Sequence, residues 1–187
     1  MARQKENIWN VPNLLTMLRI LLIPVYIVLY IDNQMMWALA VFLIASFTDL
    51  LDGYIARKYN LITSFGKLMD PLADKIMVTC VLLSLTLSGV VPWAAVIIVI
   101  AKEGLMVLGG MVMLKKSIVV QSQLIGKIAQ FTFVMALVLS FFHEKLSAWA
   151  LPLDVVMIWL SVTLTLAALF FYGANAYKLL KKGTGVQ

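Results

Sequence analysis

The sequence is poor in cysteine and in charged residues. Its one cysteine, Cys80, excludes a disulfide framework and any metal site built from several cysteines. Of the 187 residues, 13% are charged and 63% are hydrophobic, whereas a soluble protein is about half apolar and about a quarter charged. A water-soluble single domain is therefore excluded, and so is a disordered chain, which would be poor in apolar residues. At about 20 residues per membrane-spanning helix, this length leaves no room for a separate soluble domain.

Six apolar runs in the chain are each long enough to form one membrane-spanning helix. They cover residues 14–31, 35–51, 70–88, 93–114, 124–142 and 152–172. The second run remains compatible with a helix up to Lys58. Pro71 follows Asp70 directly, which is typical of a helix that starts with Asp70 as its cap, or of a proline tolerated within a longer third helix. The sequence predicts an all-α integral membrane protein, with six transmembrane helices in one bundle and a single domain over residues 1–187.

Lysine and arginine are distributed unevenly between the two sides of these predicted spans. Lys145 alone falls on one side, and twelve residues fall on the other side with both termini: Arg3, Lys5, Arg57, Lys58, Lys67, Lys75, Lys115, Lys116, Lys127, Lys178, Lys181 and Lys182. Because cytoplasmic loops carry an excess of Lys and Arg, both termini are expected in the cytoplasm. The net charge of +6 is then explained by topology and by contact with anionic lipid headgroups, and no nucleic-acid partner is expected.

Four aspartates break the rule that membrane spans avoid charge. A charge within a span costs about 2.5–3.5 kcal/mol on insertion scales and marks function. Asp49 and Asp52 are three residues apart and share one helix face, and Asp70 and Asp74, four apart, share another. Because a short polar link joins the two predicted helices, they are antiparallel neighbours. All four carboxylates are therefore expected to converge near the cytoplasmic ends of the second and third spans.

Four carboxylates in a half-buried site cannot all stay ionised unless cations join them. Oxygen ligands favour Mg²⁺, Mn²⁺ or Ca²⁺ over zinc, and two divalent cations balance four negative charges. The pattern favours a two-metal site that assists a phosphoryl displacement. One alternative is a salt-bridge cluster with the nearby cations Arg57, Lys58, Lys67 and Lys75. A small ion or metal transporter is an alternative of another class, but the outer halves of the spans lack the polar residues that would line an ion path.

The stretch from Asp49 to Asp74 resembles the signature of the CDP-alcohol phosphotransferase family. All eight signature positions are present at the family spacing: Asp49, Asp52, Gly53, Ala56, Arg57, Gly66, Asp70 and Asp74. The resemblance implies a homodimer of six-helix protomers, in which the four aspartates hold two divalent cations, Mg²⁺ or Mn²⁺. It implies that Asp74 is the general base on the acceptor hydroxyl. It also implies that Gly53, Ala56 and Gly66 leave room beside Asp52 for the CDP group and that Arg57 closes the donor site.

The implied reaction transfers the phosphatidyl group from CDP-diacylglycerol to an alcohol and releases CMP. Direct displacement is expected, because no serine or cysteine nucleophile has a base at hand and the one histidine, His143, maps to an external loop. The enzyme would be a multi-pass protein of the cell membrane, in a bacterium the plasma membrane. Its active site would face the cytoplasm and meet membrane lipids from the side.

The start of the first span helps to identify the alcohol that accepts the phosphatidyl group. Asn10-Val-Pro-Asn13-Leu-Leu-Thr16-Met-Leu-Arg19 resembles the opening of bacterial phosphatidylglycerophosphate synthases and also that of CMP-forming cardiolipin synthases. We assign Asn13 and Thr16 to the donor site. Arg19 either extends its charge to the membrane interface or lies near the donor. The opening argues against inositol or serine as the acceptor, and we expect glycerol 3-phosphate. The alternatives are phosphatidylglycerol, the acceptor of CMP-forming cardiolipin synthases, and the alcohol of another CDP-alcohol phosphotransferase.

A phosphate-bearing acceptor requires cations near the metals, and four lysines are candidates. Lys102, followed by Glu103, occupies the place of an Arg-Glu pair in phosphatidylglycerophosphate synthases, and Gly126-Lys127 resembles the family's Gly-Lys stretch. With Lys115 and Lys116 they form a predicted pocket for the acceptor phosphate. The alternatives are that the two loop lysines set topology only, and that Lys102 pairs with Glu103 or with a partner helix.

Overall fold

In a computed structural model of the chain, residues 10–59, 61, 63–115, 124–147 and 152–183 are described. Seven helices lie within them: α1 (Val11–Ile31), α2 (Met35–Lys58), α3 (Ser64–Leu87), α4 (Trp93–Lys115), α5 (Leu124–Ser140), α6 (His143–Leu146) and α7 (Leu153–Gly183). No strand occurs in these ranges, so the predicted all-α class is confirmed. Four helices are long and apolar enough to cross a membrane: Val11–Ile31, Met35–Lys58, Trp93–Met111 and Leu153–Leu179. The chain is thus an all-helical membrane protein with at least four candidate spans, and the other two predicted spans remain predictions.

The third helix begins earlier than its apolar run indicates. α3 starts at Ser64, so Asp70 and Pro71 both lie inside it and the predicted start near Asp70 is wrong. The cap is Thr63, whose hydroxyl accepts a hydrogen bond from the Gly66 N–H at 3.0 Å. This is the bond that an N-cap side chain makes to the third residue of a helix. The cap satisfies one of the free N–H groups of the first turn, and Pro71 is tolerated within the longer helix.

The chain divides into two compact units, and the first, Met1–Ser84, contains α1, α2 and most of α3. A tight turn joins α1 to α2, with Asn33 in the left-handed region at a φ of 59°, a conformation that asparagine adopts more readily than most residues. The two helices are therefore antiparallel. Side chains such as Tyr26, Phe42 and Met77 fill the core of this unit.

Two hydrogen bonds show that α1 and α3 run parallel. The Thr16 hydroxyl donates to Asp70 Oδ1, and the Tyr30 hydroxyl donates to the Ser84 carbonyl at 3.0 Å. Both pairs are separated by 54 residues in the chain. Fourteen helical residues rise about 21 Å, so the same register holds over most of a membrane thickness.

The second unit, Leu85–Gln187, contains α4, α5, α6 and α7. α7 packs against the other three helices of the unit. A Cβ built on Gly126 of α5 would lie 2.6 Å from the Tyr172 hydroxyl of α7, so any larger residue at that point requires the Tyr172 side chain to shift. His143 of α6 lies with Nδ1 2.6 Å from Oδ2 of Asp154, which is fully buried in the first turn of α7.

Candidate active site

A band of polar residues on α1, the polar band, consists of Asn10, Asn13, Thr16 and Arg19. Residues spaced by three are neighbours on a helix, and each step rotates by about 60° around its axis. The band therefore winds around α1, so that its early members face the link and α3 while Arg19 reaches α2. Asn13, Thr16 and Arg19 are each at most 1% exposed, although their run is otherwise apolar.

The first half of the polar band attaches α1 to the start of α3. Asn10 Nδ2 donates to the Leu61 carbonyl at 3.1 Å, and the Thr63 hydroxyl donates to Asn13 Oδ1 at 3.0 Å. Because Thr63 also caps α3, one side chain connects the two helices and fixes where α3 begins. This contact determines the height of Asp70 along α3 relative to α1.

The second half of the polar band contacts three of the four signature aspartates. Arg19 Nη1 lies 3.0 Å from Asp49 Oδ1, and Nη2 contacts Asp52 Oδ2. The same Nη1 lies 3.5 Å from the Asp70 carbonyl oxygen, while the Thr16 hydroxyl donates to the Asp70 carboxylate. Two side chains of α1 thus draw together acids that belong to α2 and α3. The expected convergence is therefore observed for Asp49, Asp52 and Asp70.

Exposure differs among the four acids. The Asp52 side chain is 3% exposed and that of Asp49 is 28% exposed. Asp70 and Asp74 are half-buried, and Asp74 lies one helical turn after Asp70 on α3. Asp49, Asp70 and Asp74 are therefore more accessible than Asp52.

The donor set matches a hard divalent cation in its chemistry, since carboxylate oxygens are the ligands that Mg²⁺ and Mn²⁺ prefer. As the side chains are placed, however, no three acid, histidine or cysteine groups among the described residues are gathered closely enough to hold a metal ion. Instead, the Arg19 guanidinium pairs with one carboxylate oxygen of Asp49 and one of Asp52, and these oxygens accept from it. Arg19 is therefore a cation within the chain that offsets part of the negative charge of the four acids.

The two signature glycines have different surroundings. A Cβ on Gly66 would lie 2.8 Å from Asn13 Oδ1 and 3.2 Å from Thr63 Oγ1, so the space beside Gly66 is used by the protein's own hydrogen bonds. A Cβ on Gly53 would meet only the Arg57 guanidinium, at 3.5 Å or more. Ala56 is half-buried and Arg57 is exposed. Gly53 and Arg57 are therefore the signature positions with room for a ligand beside α2.

The four lysines predicted to bind the acceptor phosphate all belong to the second unit. Lys102 forms an ion pair with the adjacent Glu103, which is one of the alternatives that the sequence left open. Lys127 is exposed on α5. The Lys115 side chain and the whole of Lys116 lie outside the described residues. The pairing of Lys102 reduces the positive charge that it offers to an anion.

Thr63 and Arg19 both contribute to this site, and each has a sequence feature from which its role could have been predicted. Thr63 lies in a stretch interpreted only as a link, although a threonine three residues before a glycine is a possible N-cap. Arg19 was assigned no partner, although it follows Asn10, Asn13 and Thr16 at a constant spacing of three. A regular polar spacing within an apolar run indicates a helix face that meets other polar groups.

A family model described as CDP-alcohol phosphatidyltransferase matches residues 9–167 of the chain. The match includes the polar band and all four aspartates, and the chain belongs to this family. Its members are generally dependent on divalent cations.

Curated relatives carry two related names. A Bacillus subtilis protein named CDP-diacylglycerol–glycerol-3-phosphate 3-phosphatidyltransferase is 33% identical over an alignment of 191 positions that covers 92% of this chain and 98% of the relative. A Rickettsia typhi protein of the same name is 50% identical over 97 residues, and the chain spans about half (54%) of its length. A human protein named cardiolipin synthase (CMP-forming) is 41% identical over 103 residues, 54% of this chain and 34% of that protein.

Proposed function

We propose that the protein transfers the phosphatidyl group of CDP-diacylglycerol to glycerol 3-phosphate, which yields phosphatidylglycerophosphate and CMP. The carrying observation is the gathering of Asp49, Asp52 and Asp70 by two residues of α1. Family membership supports the reaction class, and the relative from Bacillus subtilis, matched over nearly its full length, supports the acceptor. Family membership also argues against the transporter alternative.

The four acids share one part in the proposed mechanism, and Asp74 has a second. Asp49, Asp52, Asp70 and Asp74 would hold two divalent cations, Mg²⁺ or Mn²⁺, which when bound neutralise the pyrophosphate charge as CMP leaves. Asp74 takes the proton of the acceptor hydroxyl, whose oxygen then attacks the phosphorus that carries the diacylglycerol. The bond from that phosphorus to the CMP oxygen breaks. Proton, nucleophile and leaving group are all accounted for without a covalent enzyme intermediate.

The residues assigned to the CDP-diacylglycerol site have two roles: some contact the CDP group directly, and others support the site from within the protein. We assign Gly53, Ala56 and Arg57 to direct contact with the CDP group, because Arg57 is exposed and its guanidinium lies beside Gly53. The described hydrogen bonds of Asn13 and Thr16 are made within the protein, to Asn10 and Pro12 of the same helix region and to Thr63 and Asp70. These two residues therefore support the donor site through α3, and Gly66 makes room for that support.

The base assignment is tested by replacing Asp74 with asparagine. Asp74→Asn is expected to lower CMP release from CDP-diacylglycerol and glycerol 3-phosphate by about a hundredfold or more while the thermal unfolding profile stays unchanged. Asp32→Asn, at an exposed position in the turn after α1, is the matched control and should retain full turnover. Normal turnover by Asp74→Asn would remove Asp74 from the base role.

The second candidate acceptor is phosphatidylglycerol, which would make the protein a CMP-forming cardiolipin synthase. The ion pair between Lys102 and Glu103 favours it, because a paired lysine attracts a phosphate monoester less strongly. A panel of acceptor alcohols, each supplied with CDP-diacylglycerol and Mg²⁺, distinguishes the two. Release of CMP with phosphatidylglycerol but not with glycerol 3-phosphate would overturn the main proposal.

We further propose a homodimer in a bacterial plasma membrane with the four aspartates facing the cytoplasm. The excess of lysine and arginine on the side of the termini supports this orientation. Cross-linking in native membranes tests the dimer, and a monomer at all protein concentrations would exclude it.

A further inference from the structure

Arg19 is a buried cation that contacts two proposed metal ligands at once. Its side chain is 1% exposed, and its two terminal nitrogens contact Asp49 Oδ1 and Asp52 Oδ2. A residue that only reached for the membrane interface would keep its charged end exposed, so that alternative for Arg19 does not match the structure. The guanidinium lies where it neutralises two acids that would otherwise repel each other across one turn of α2.

Not every N–H group of this guanidinium is hydrogen-bonded. Within the described part of the chain, Arg19 Nε is buried and has no hydrogen-bond partner. A buried donor without an acceptor is costly, so the ion pair is held by its charges rather than by a full set of hydrogen bonds. An arginine bound in this way can leave its partners at lower cost than one whose five N–H groups are all satisfied.

The oxygens held by Arg19 are oxygens that a divalent cation would use. Four carboxylates with Arg19 among them carry a net charge of −3, whereas without Arg19 they carry −4. A positive charge in contact with two ligands opposes the approach of a divalent ion by direct Coulomb repulsion. By contrast, Asp70 is held by the neutral hydroxyl of Thr16, which adds no such repulsion.

We propose that Arg19 is a positioning residue that keeps Asp49 and Asp52 together before a divalent cation binds, and that the cation displaces it from them. Arg19 and the cation then compete for the same carboxylates, and the arginine preserves the site in its metal-free form. This inference rests on the proposed metal-dependent function. It agrees with the observation that no three acid, histidine or cysteine groups among the described residues lie close enough together to hold a metal ion.

The test measures binding of Mn²⁺ to the purified full chain in lipid nanodiscs, without substrate, by the electron paramagnetic resonance signal of free Mn²⁺. Arg19→Gln removes the charge and is expected to bind Mn²⁺ about tenfold more tightly than the unsubstituted protein. It should also unfold at a lower temperature when no cation is present. Arg19→Lys keeps the charge and is expected to bind Mn²⁺ with unchanged affinity. Thr16→Val removes a neutral contact to Asp70 and should not tighten binding.

Weaker or unchanged Mn²⁺ binding by Arg19→Gln would overturn the proposal, because a residue that merely supports the ligands gives that result. If Arg19→Gln does not fold without a cation, refolding by Mn²⁺ supports the proposal, since the metal then replaces the missing charge. Failure to fold even at saturating Mn²⁺ overturns it. CMP release by the unsubstituted protein distinguishes failure of this inference from failure of the proposed function. If CMP is released but Arg19→Gln does not bind Mn²⁺ more tightly, only the role of Arg19 is rejected. If no acceptor alcohol gives CMP release, the proposed function is rejected.

Discussion

At the scale of single residues, Gly66 is the signature glycine with less space around it. Its absent Cβ would lie 2.8 Å from Asn13 Oδ1, and Asn13 is buried and hydrogen-bonded to the cap of α3. We expect Gly66→Ala to lower the stability by about 1–3 kcal/mol, the usual effect of overpacking. Thermal unfolding of the purified protein measures this. An unchanged unfolding temperature would show that Asn13 can move aside freely.

Gly53 gives the contrasting case on α2. A Cβ there would meet only the Arg57 guanidinium at an ordinary van der Waals distance of 3.5 Å. We expect Gly53→Ala to fold normally and to raise the KM for CDP-diacylglycerol by roughly tenfold, since one added methyl group in a binding site has an effect of that order. Steady-state kinetics, with thermal unfolding as the control, measure it. An unchanged KM would place the nucleotide away from this face of α2.

At the scale of helices, Thr63 determines where α3 begins and how it is attached to α1. Its hydroxyl accepts from Gly66 N–H and donates to Asn13, so Thr63→Ala removes both bonds. We expect a loss of about 1–2 kcal/mol of stability, in the range measured for lost helix caps. Thr163→Ala is the matched control, because that hydroxyl is exposed and bonds only within its own helix. Equal unfolding temperatures for the two variants would contradict the role of Thr63 as a cap.

The junction of α6 and α7 depends on a second buried acid. Asp154 is fully buried and lies 2.6 Å from His143 Nδ1. Asp154→Ala leaves the histidine without that partner and is expected to destabilise the protein by about 1–3 kcal/mol. Asp154→Asn retains an acceptor oxygen and should lose less, as measured by chemical unfolding. If both variants lose the same amount, charge rather than hydrogen bonding holds this junction.

At the scale of the whole molecule, the arrangement of the chain across the membrane can be tested because Cys80 is the one cysteine. In a Cys80→Ser background, Lys145→Cys and Lys178→Cys place labels at exposed positions on α6 and α7. The predicted topology puts them on opposite sides. A membrane-impermeant maleimide should therefore label Lys145→Cys in intact cells and Lys178→Cys only after the membrane is opened. Labelling of both from outside would contradict the cytoplasmic termini.

Some features of the fold and the site could be predicted from the sequence and others could not, and the difference has physical reasons. Long apolar runs predicted the helices, because a chain in lipid must satisfy its own backbone hydrogen bonds. The spacing of Asp49, Asp52, Asp70 and Asp74 predicted which acids share a helix face. It could not predict that Arg19 pairs with two of them, because that contact depends on how α1 packs against α2. The start of α3 was missed because a side-chain cap, rather than apolar residues, determines it.

The pairing of α1 with α2 also bears on how the protein enters the membrane during synthesis. Arg19 leaves the ribosome 33 residues ahead of Asp52, so a first helix inserted alone would carry an unbalanced charge into the lipid. The short turn at Asn33 allows the two helices to insert together as a neutralised hairpin. The ion pair between Arg19 and the acids of α2 therefore favours insertion of the first helix into the lipid only after the second helix has been synthesised.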